Sequence, residues 1–148
     1  MVVPQSLPVA KGTAEMAGPT ALSTPCARSL RHLTAGTGVS CIAIGAYHFA
    51  LGTASVPGAT DANATVDSRE RFYSAVFAGY GIAWMRAARK SPIRADDVRL
   101  LAAVMLAGGV GRVLSRVLNG QPHWFQDVLT AVEFVVPAVF FGLTSKAD

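Results

Sequence analysis

Charge is scarce in this sequence. Asp, Glu, Lys and Arg make up 15% of its 148 residues, where a soluble globular chain carries about 25%, and so little charge excludes a solvated chain without a fold. Cysteine is scarce too. Cys26 and Cys41 are the two, which excludes a small disulfide scaffold, and their separate settings suggest two unpaired thiols. No Ser or Cys nucleophile stands at a recognisable spacing from a base, and there is no phosphate loop and no zinc motif. Gly108, Gly109 and Gly111 do not make a dinucleotide fingerprint, because they lie inside an apolar helical run and not between a strand and a helix. No second histidine sits at a helical ligand spacing from His48, which disfavours a metal. No catalytic residue, metal or cofactor is assigned on these grounds, and an enzyme is the less favoured reading.

Apolar residues, by contrast, reach 51%, and the mean hydropathy is +0.39. A bilayer is the solvent this composition suits. The net charge of +4 does not point to nucleic acid, since the basic residues fall between apolar blocks instead of clustering beside exposed aromatics.

Residues 1–30 hold Pro4, Pro8, Pro19 and Pro25 among Ser, Thr, Ala and Gly with no sustained period, and read as a disordered leader. A secretory signal would place its apolar core directly after a basic start, and the first apolar stretch comes only after Arg28 and Arg31. An organellar transit peptide is the alternative for this acid-poor stretch. Residues 31–145 form the domain, with apolar blocks at 33–54, 72–88, 100–118 and 124–143. The first is free of charge over 22 residues, enough to cross roughly 30 Å of hydrocarbon as a helix. Arg86 in the second is close enough to its end to snorkel. The expected fold is all-α, a four-helix transmembrane bundle with short connections and antiparallel neighbours.

Lys and Arg in the connections orient it. Arg86, Arg89, Lys90, Arg94 and Arg99 surround the middle connection, whereas residues 119–123 hold no basic residue. Both termini and the middle loop are therefore expected in the cytoplasm, with Lys146 after the last span, in a multi-pass protein of the cell (inner) membrane. Trp124 is expected at the outer boundary and Trp84 near the inner one, where indoles favour the headgroup level. Small residues mark helix packing, since lipid gives apolar side chains no reason to leave it and close backbone approach must supply the attraction. These are Gly38, Gly45 and Gly52 in the first helix, Ala75 and Gly79 (with Ala83) in the second, and Ala103, Ala107 and Gly111 in the third. Pro137 should kink the fourth helix, and Asp96 and Asp97 should cap the third.

Charges inside a span need a partner or a wet cavity, because each costs at least about 2.5 to 3.5 kcal/mol at the centre. Arg112 lies about 9 Å and Glu133 about 13 to 14 Å from the outer ends of neighbouring helices at about 1.5 Å per residue, a difference an Arg side chain bridges. An Arg112 to Glu133 ion pair is expected. His48, Arg71, Arg116 and Asp127 fall at similar depth in the outer half, giving an outward-opening polar pocket and not a pore. Such a pair either fixes the register of two helices or also holds a ligand. Tyr80, Trp84, Phe140 and Phe141 read as lipid or core packing and not as a cofactor box.

The run from Arg71 through Phe72, Tyr73 and Ser74 to Gly79, Tyr80 and Gly81, then Gly109, Val110, Gly111 and Arg112, then Gly120, Gln121 and Pro122, then Glu133 and Pro137, resembles a family of small bacterial four-helix membrane proteins described only as a domain of unknown function. The resemblance spans about residues 31–144. It implies an Arg opening the second helix, Gly-x-Gly-Arg in the third, a Gly-x-Pro turn and a Glu in the fourth, and so groups Arg71, Arg112 and Glu133 as one unit. Ala75 stands where that pattern has Gly, and the leader has no counterpart in it. No reaction comes with the family. Two functions compete: a non-enzymatic structural or accessory component that packs as a homo-oligomer or in a larger membrane complex, and a small-molecule site for a quinone, lipid headgroup or organic anion, serving transport or redox work. A transporter would need an oligomer, because four helices enclose little.

Overall fold

The computed structural model describes residues 24–59 and 62–145. The leader up to residue 23, and Lys146, lie outside the described residues. The protein is all-α. Among the described residues four long helices, α1 (Thr24–Leu51), α2 (Ala64–Arg89), α3 (Ala95–Asn119) and α4 (Trp124–Thr144), follow one another, with a 3-10 turn, Gly52–Ser55, after α1. Three stretches, Ala27–Ser55, Ala95–Asn119 and Trp124–Thr144, are long and apolar enough to cross a membrane. α2 is not among them because Asp67, Arg69, Glu70 and Arg71 occupy its first two turns and Arg86 and Arg89 its last.

α1, α2 and α3 begin before their apolar blocks, and the added turns are largely polar, whereas α4 matches its block to within a residue. α1 starts at Thr24, inside the stretch expected as leader, because Leu30 is buried and Ala27 packs beside it. α2 starts at Ala64, where the Asn63 side chain caps it by accepting from the Thr65 and Val66 N–H groups at 3.0 and 3.1 Å. α3 follows Arg94 with no side-chain cap. Asp96 and Asp97 lie in its first turn and not at the cap, where they suit the positive end of the helix dipole. Asp97 pairs with Lys90 at 2.6 Å. α4 is continuous across Pro137.

The helices form two antiparallel hairpins with different seams. In the α1–α2 hairpin the backbones touch. A Cβ on Gly45 would meet the Ser74 carbonyl and the Ala78 nitrogen at 2.7 Å, and Gly38 and Gly81 face each other's carbonyls just as closely. In the α3–α4 hairpin Gly109 lies against Glu133 and Phe134 of α4, with 3.0 to 3.2 Å for the same added carbon.

Several small residues face elsewhere. Ala75 and Gly79 of α2, and Ala103, Ala107 and Gly111 of α3, are exposed, with nothing within 4 Å of a Cβ at Gly79 or Gly111. The seam of α2 runs instead through Ser74, Ala78 and Gly81, and that of α3 through Ala102 and Gly109. Gly52 closes α1 in the left-handed region at φ +59°, a turn position and not a packing one.

The hairpins join at one end. Leu30, Trp84, Ile93, Val98, Ala102 and Phe140 form the core there. Trp84 is fully buried against Phe140 at 4.7 Å between ring centroids, so it is a core residue and not a boundary indole. Arg31 donates to the Lys90 carbonyl at 3.0 Å, and Arg99 to the Thr144 carbonyl at 2.8 Å. Tyr80 Oη donates to the Leu101 carbonyl at 2.5 Å. At the other end Gly58 approaches His123, which would lie 3.0 Å from an added Cβ.

Candidate functional site

The polar residues expected to form one pocket fall into two clusters, one per hairpin. In the α3–α4 hairpin, Arg112 and Arg116 are one turn apart on α3, while Gln126, Thr130 and Glu133 recur on one face of α4. The expected ion pair forms: Arg112 Nε donates to Glu133 Oε2 at 2.8 Å. Its Nη1 donates to Gln126 Oε1 at 2.6 Å, so one guanidinium bridges two turns of α4. Arg116 pairs with Asp127 nearer the helix ends. The glycines make this possible. Gly108 leaves the Glu133 carboxylate 3.7 Å from where a Cβ would stand, and Gly109 lets the Glu133 stem down onto α3. Pro137, one turn on, has no N–H for the Glu133 carbonyl. Arg112, Arg116, Gln126, Asp127 and Thr130 line a cleft of about 350 Å³ between the two helices.

The α1–α2 cluster serves the end of α1. Arg71 Nη1 donates to the Phe49 and Ala50 carbonyls at 2.8 and 3.0 Å, and its Nε to Asp67 Oδ2 at 2.7 Å. These carbonyls belong to the last turn of α1, so Arg71 caps that end from the neighbouring helix. Asp67 also accepts from the Thr53 N–H at 3.0 Å. The bond from Arg71, and then the Thr53 N–H, hold its carboxyl below the usual carboxylate range.

His48 Nδ1 lies 2.6 Å from Ser55 Oγ and 3.7 Å from Glu70 Oε1. Ser55 Oγ donates to the Gly52 carbonyl at 2.6 Å. Among the described residues no hydrogen bond links Arg71 or His48 to Arg112 or Glu133, and no group of three or more His, Cys, Asp and Glu could hold a metal. Cys41 is a free, buried thiol; the Cys26 side chain lies outside what is described.

Residues 29–144 match the family described as a domain of unknown function, DUF4345. The chain belongs to the DUF4345 family. No curated protein and no solved structure matches it. The DUF4345 region takes in both hairpins and both clusters. The structure divides the unit that the motifs suggested: Arg112 and Glu133 pair, whereas Arg71, on α2, caps the end of α1. Gln126 and Asp67 were missed. Gln126 carries no charge to flag it, although its seven-residue spacing from Glu133 was visible. Asp67 precedes Arg71 by one helical turn, in a polar stretch ahead of the apolar block 72–88 where no helix was expected.

Proposed function

We propose that this DUF4345 protein is a four-span component of the cell (inner) membrane with both termini in the cytoplasm, and that it acts by packing against other membrane helices and not by catalysis. One observation carries the reading. The charges in the outer halves of α3 and α4 close on each other, while the apolar side chains face outward: 17 to 22% of the three most apolar windows is buried. A soluble bundle would bury that surface.

α2 shares the depth of α1 because the two touch along both glycine contacts, so a crossing by α1 carries α2 with it. Arg28, Arg31, Arg86, Arg89, Lys90, Arg94 and Arg99 gather at the end where the hairpins join, with Asp96 and Asp97 the acidic residues that offset them among the described residues. That asymmetry supports a cytoplasmic assignment for this end. The exposed face bearing Ala103, Ala107 and Gly111 is left for a second copy or a larger complex.

Reporter fusions after residues 23, 59, 92, 121 and 148 test the topology, with alternating sides and cytoplasmic ends expected. Ala107→Leu with Gly111→Leu is expected to abolish a crosslinked complex, and an unchanged complex would exclude that face.

The second reading, a small-molecule site, is favoured by the cleft of about 350 Å³ between α3 and α4. It rests on Arg112 and Arg116 alone, since Arg71 and His48 belong to the other hairpin. Full retention of a copurifying ligand in Arg112→Gln would remove it.

A further inference from the structure

A second cleft, about 410 Å³, lies between α1 and α2 at the opposite end of the molecule. Arg31, His32 and Arg89 supply its polar wall, and Ala35, Met85 and Ala88 its apolar one. No carboxylate lines it. Arg31 spends one N–H on the Lys90 carbonyl, and among the described residues neither Arg31 nor Arg89 pairs with an acid. The α3–α4 cleft is different, because both of its arginines meet a carboxylate, so an anion gains no net charge attraction there.

We infer that the α1–α2 cleft binds the phosphate headgroup of an anionic phospholipid from the cytoplasmic leaflet. Three features select that class. The two guanidiniums offer unpaired donors to phosphate oxygens. The apolar wall of Ala35, Met85 and Ala88 suits the first carbons of an acyl chain more than a freely hydrated anion. The cleft also sits at the end holding the surplus of positive charge, where basic pockets between spans meet anionic headgroups. The inference rests on the membrane reading above and adds a specific lipid to it.

The test uses the full chain reconstituted in vesicles of phosphatidylethanolamine and phosphatidylglycerol at equal mole fractions, then extracted gently and examined by native mass spectrometry. Phosphatidylglycerol should be retained above its mole fraction. Arg31→Gln and Arg89→Gln should each lower that enrichment about fivefold, the effect of one basic contact near a charged surface, whereas Arg89→Lys should keep most of it and Arg69→Gln, at the far end of α2, all of it. Retention at the mole fraction in the unaltered chain, or equal loss from Arg69→Gln, would overturn the site. Displacement of the lipid by millimolar inorganic phosphate would show that phosphate alone is bound and would overturn the lipid assignment. Alkaline extraction separates the two levels. A chain released from the vesicles ends the membrane reading itself, and a chain retained without enrichment ends only the lipid site.

Discussion

The two hairpins solve the same problem by opposite means. In α1–α2 the helices meet backbone to backbone through Gly38, Gly45 and Gly81, and charged side chains are confined to the ends. In α3–α4 the close approach is at Gly109, and two ion pairs and a glutamine bridge the half nearer the α3–α4 connection. In an apolar solvent the first seam draws on dispersion and short contacts, available wherever side chains are small. The second depends on charge, which is attractive there only while every partner is present. The first should therefore fail by crowding and the second by deletion.

Crowding gives the largest expected effect. Gly45→Ala places a carbon 2.7 Å from two backbone atoms of α2, and overpacking of this kind costs about 1 to 3 kcal/mol or more. Gly79→Ala, with open space around it, should be neutral or more stable by up to about 1 kcal/mol through helix propensity. Thermal unfolding of the two variants in detergent compares them directly. Equal effects would mean that α1 and α2 do not meet at Gly45.

Deletion comes next. Glu133→Gln leaves Arg112 without its carboxylate. Stranding a fully buried partner costs about 3 to 5 kcal/mol, and the partial exposure of this pair, 36 and 20% of the side chains, brings the expectation to about 1 to 2 kcal/mol. Arg116→Gln, at a more exposed pair, should cost under about 1 kcal/mol. A ranking with Arg116 above Glu133 would place the seam at the helix ends and not within the span.

The smallest effect is a pH dependence in the other hairpin. The Asp67 carboxyl is held below its usual range in the fold, first by Arg71 and then by the Thr53 N–H. A depressed folded value means that its contribution is complete above about pH 4 and fades as the pH falls through the lowered value. Asp67→Asn should therefore differ from the unaltered chain at neutral pH and converge with it in acid. Divergence in acid would contradict the capping role.

What could be read in the sequence follows the physics of each feature. Charge-free runs locate apolar helices well, so α4 was placed to within a residue. Polar turns at helix ends carry no such signal, so the starts of α1 and α2 were missed by about two turns each. Depth counting found the Arg112 to Glu133 pair because both residues are charged and their helices are sequence neighbours. The same reasoning merged Arg71 and His48 with them, since equal depth does not say which hairpin a side chain serves. Four-residue spacing showed that α2 and α3 have small faces but not which one is used. Ser74, Ala78 and Gly81 recur nearly as well as Ala75, Gly79 and Ala83, about 100° around the helix.

The separateness of the two clusters is the central claim, and a double-mutant cycle tests it most directly. Stability is measured for Arg112→Gln, Arg71→Gln and Glu133→Gln, and for the two doubles that contain Glu133→Gln. A coupling of about 1 kcal/mol or more is expected between Arg112 and Glu133, with Arg71 and Glu133 additive within about 0.3 to 0.5 kcal/mol. Comparable coupling of Arg71 to Glu133, or additivity of Arg112 and Glu133, would contradict the account.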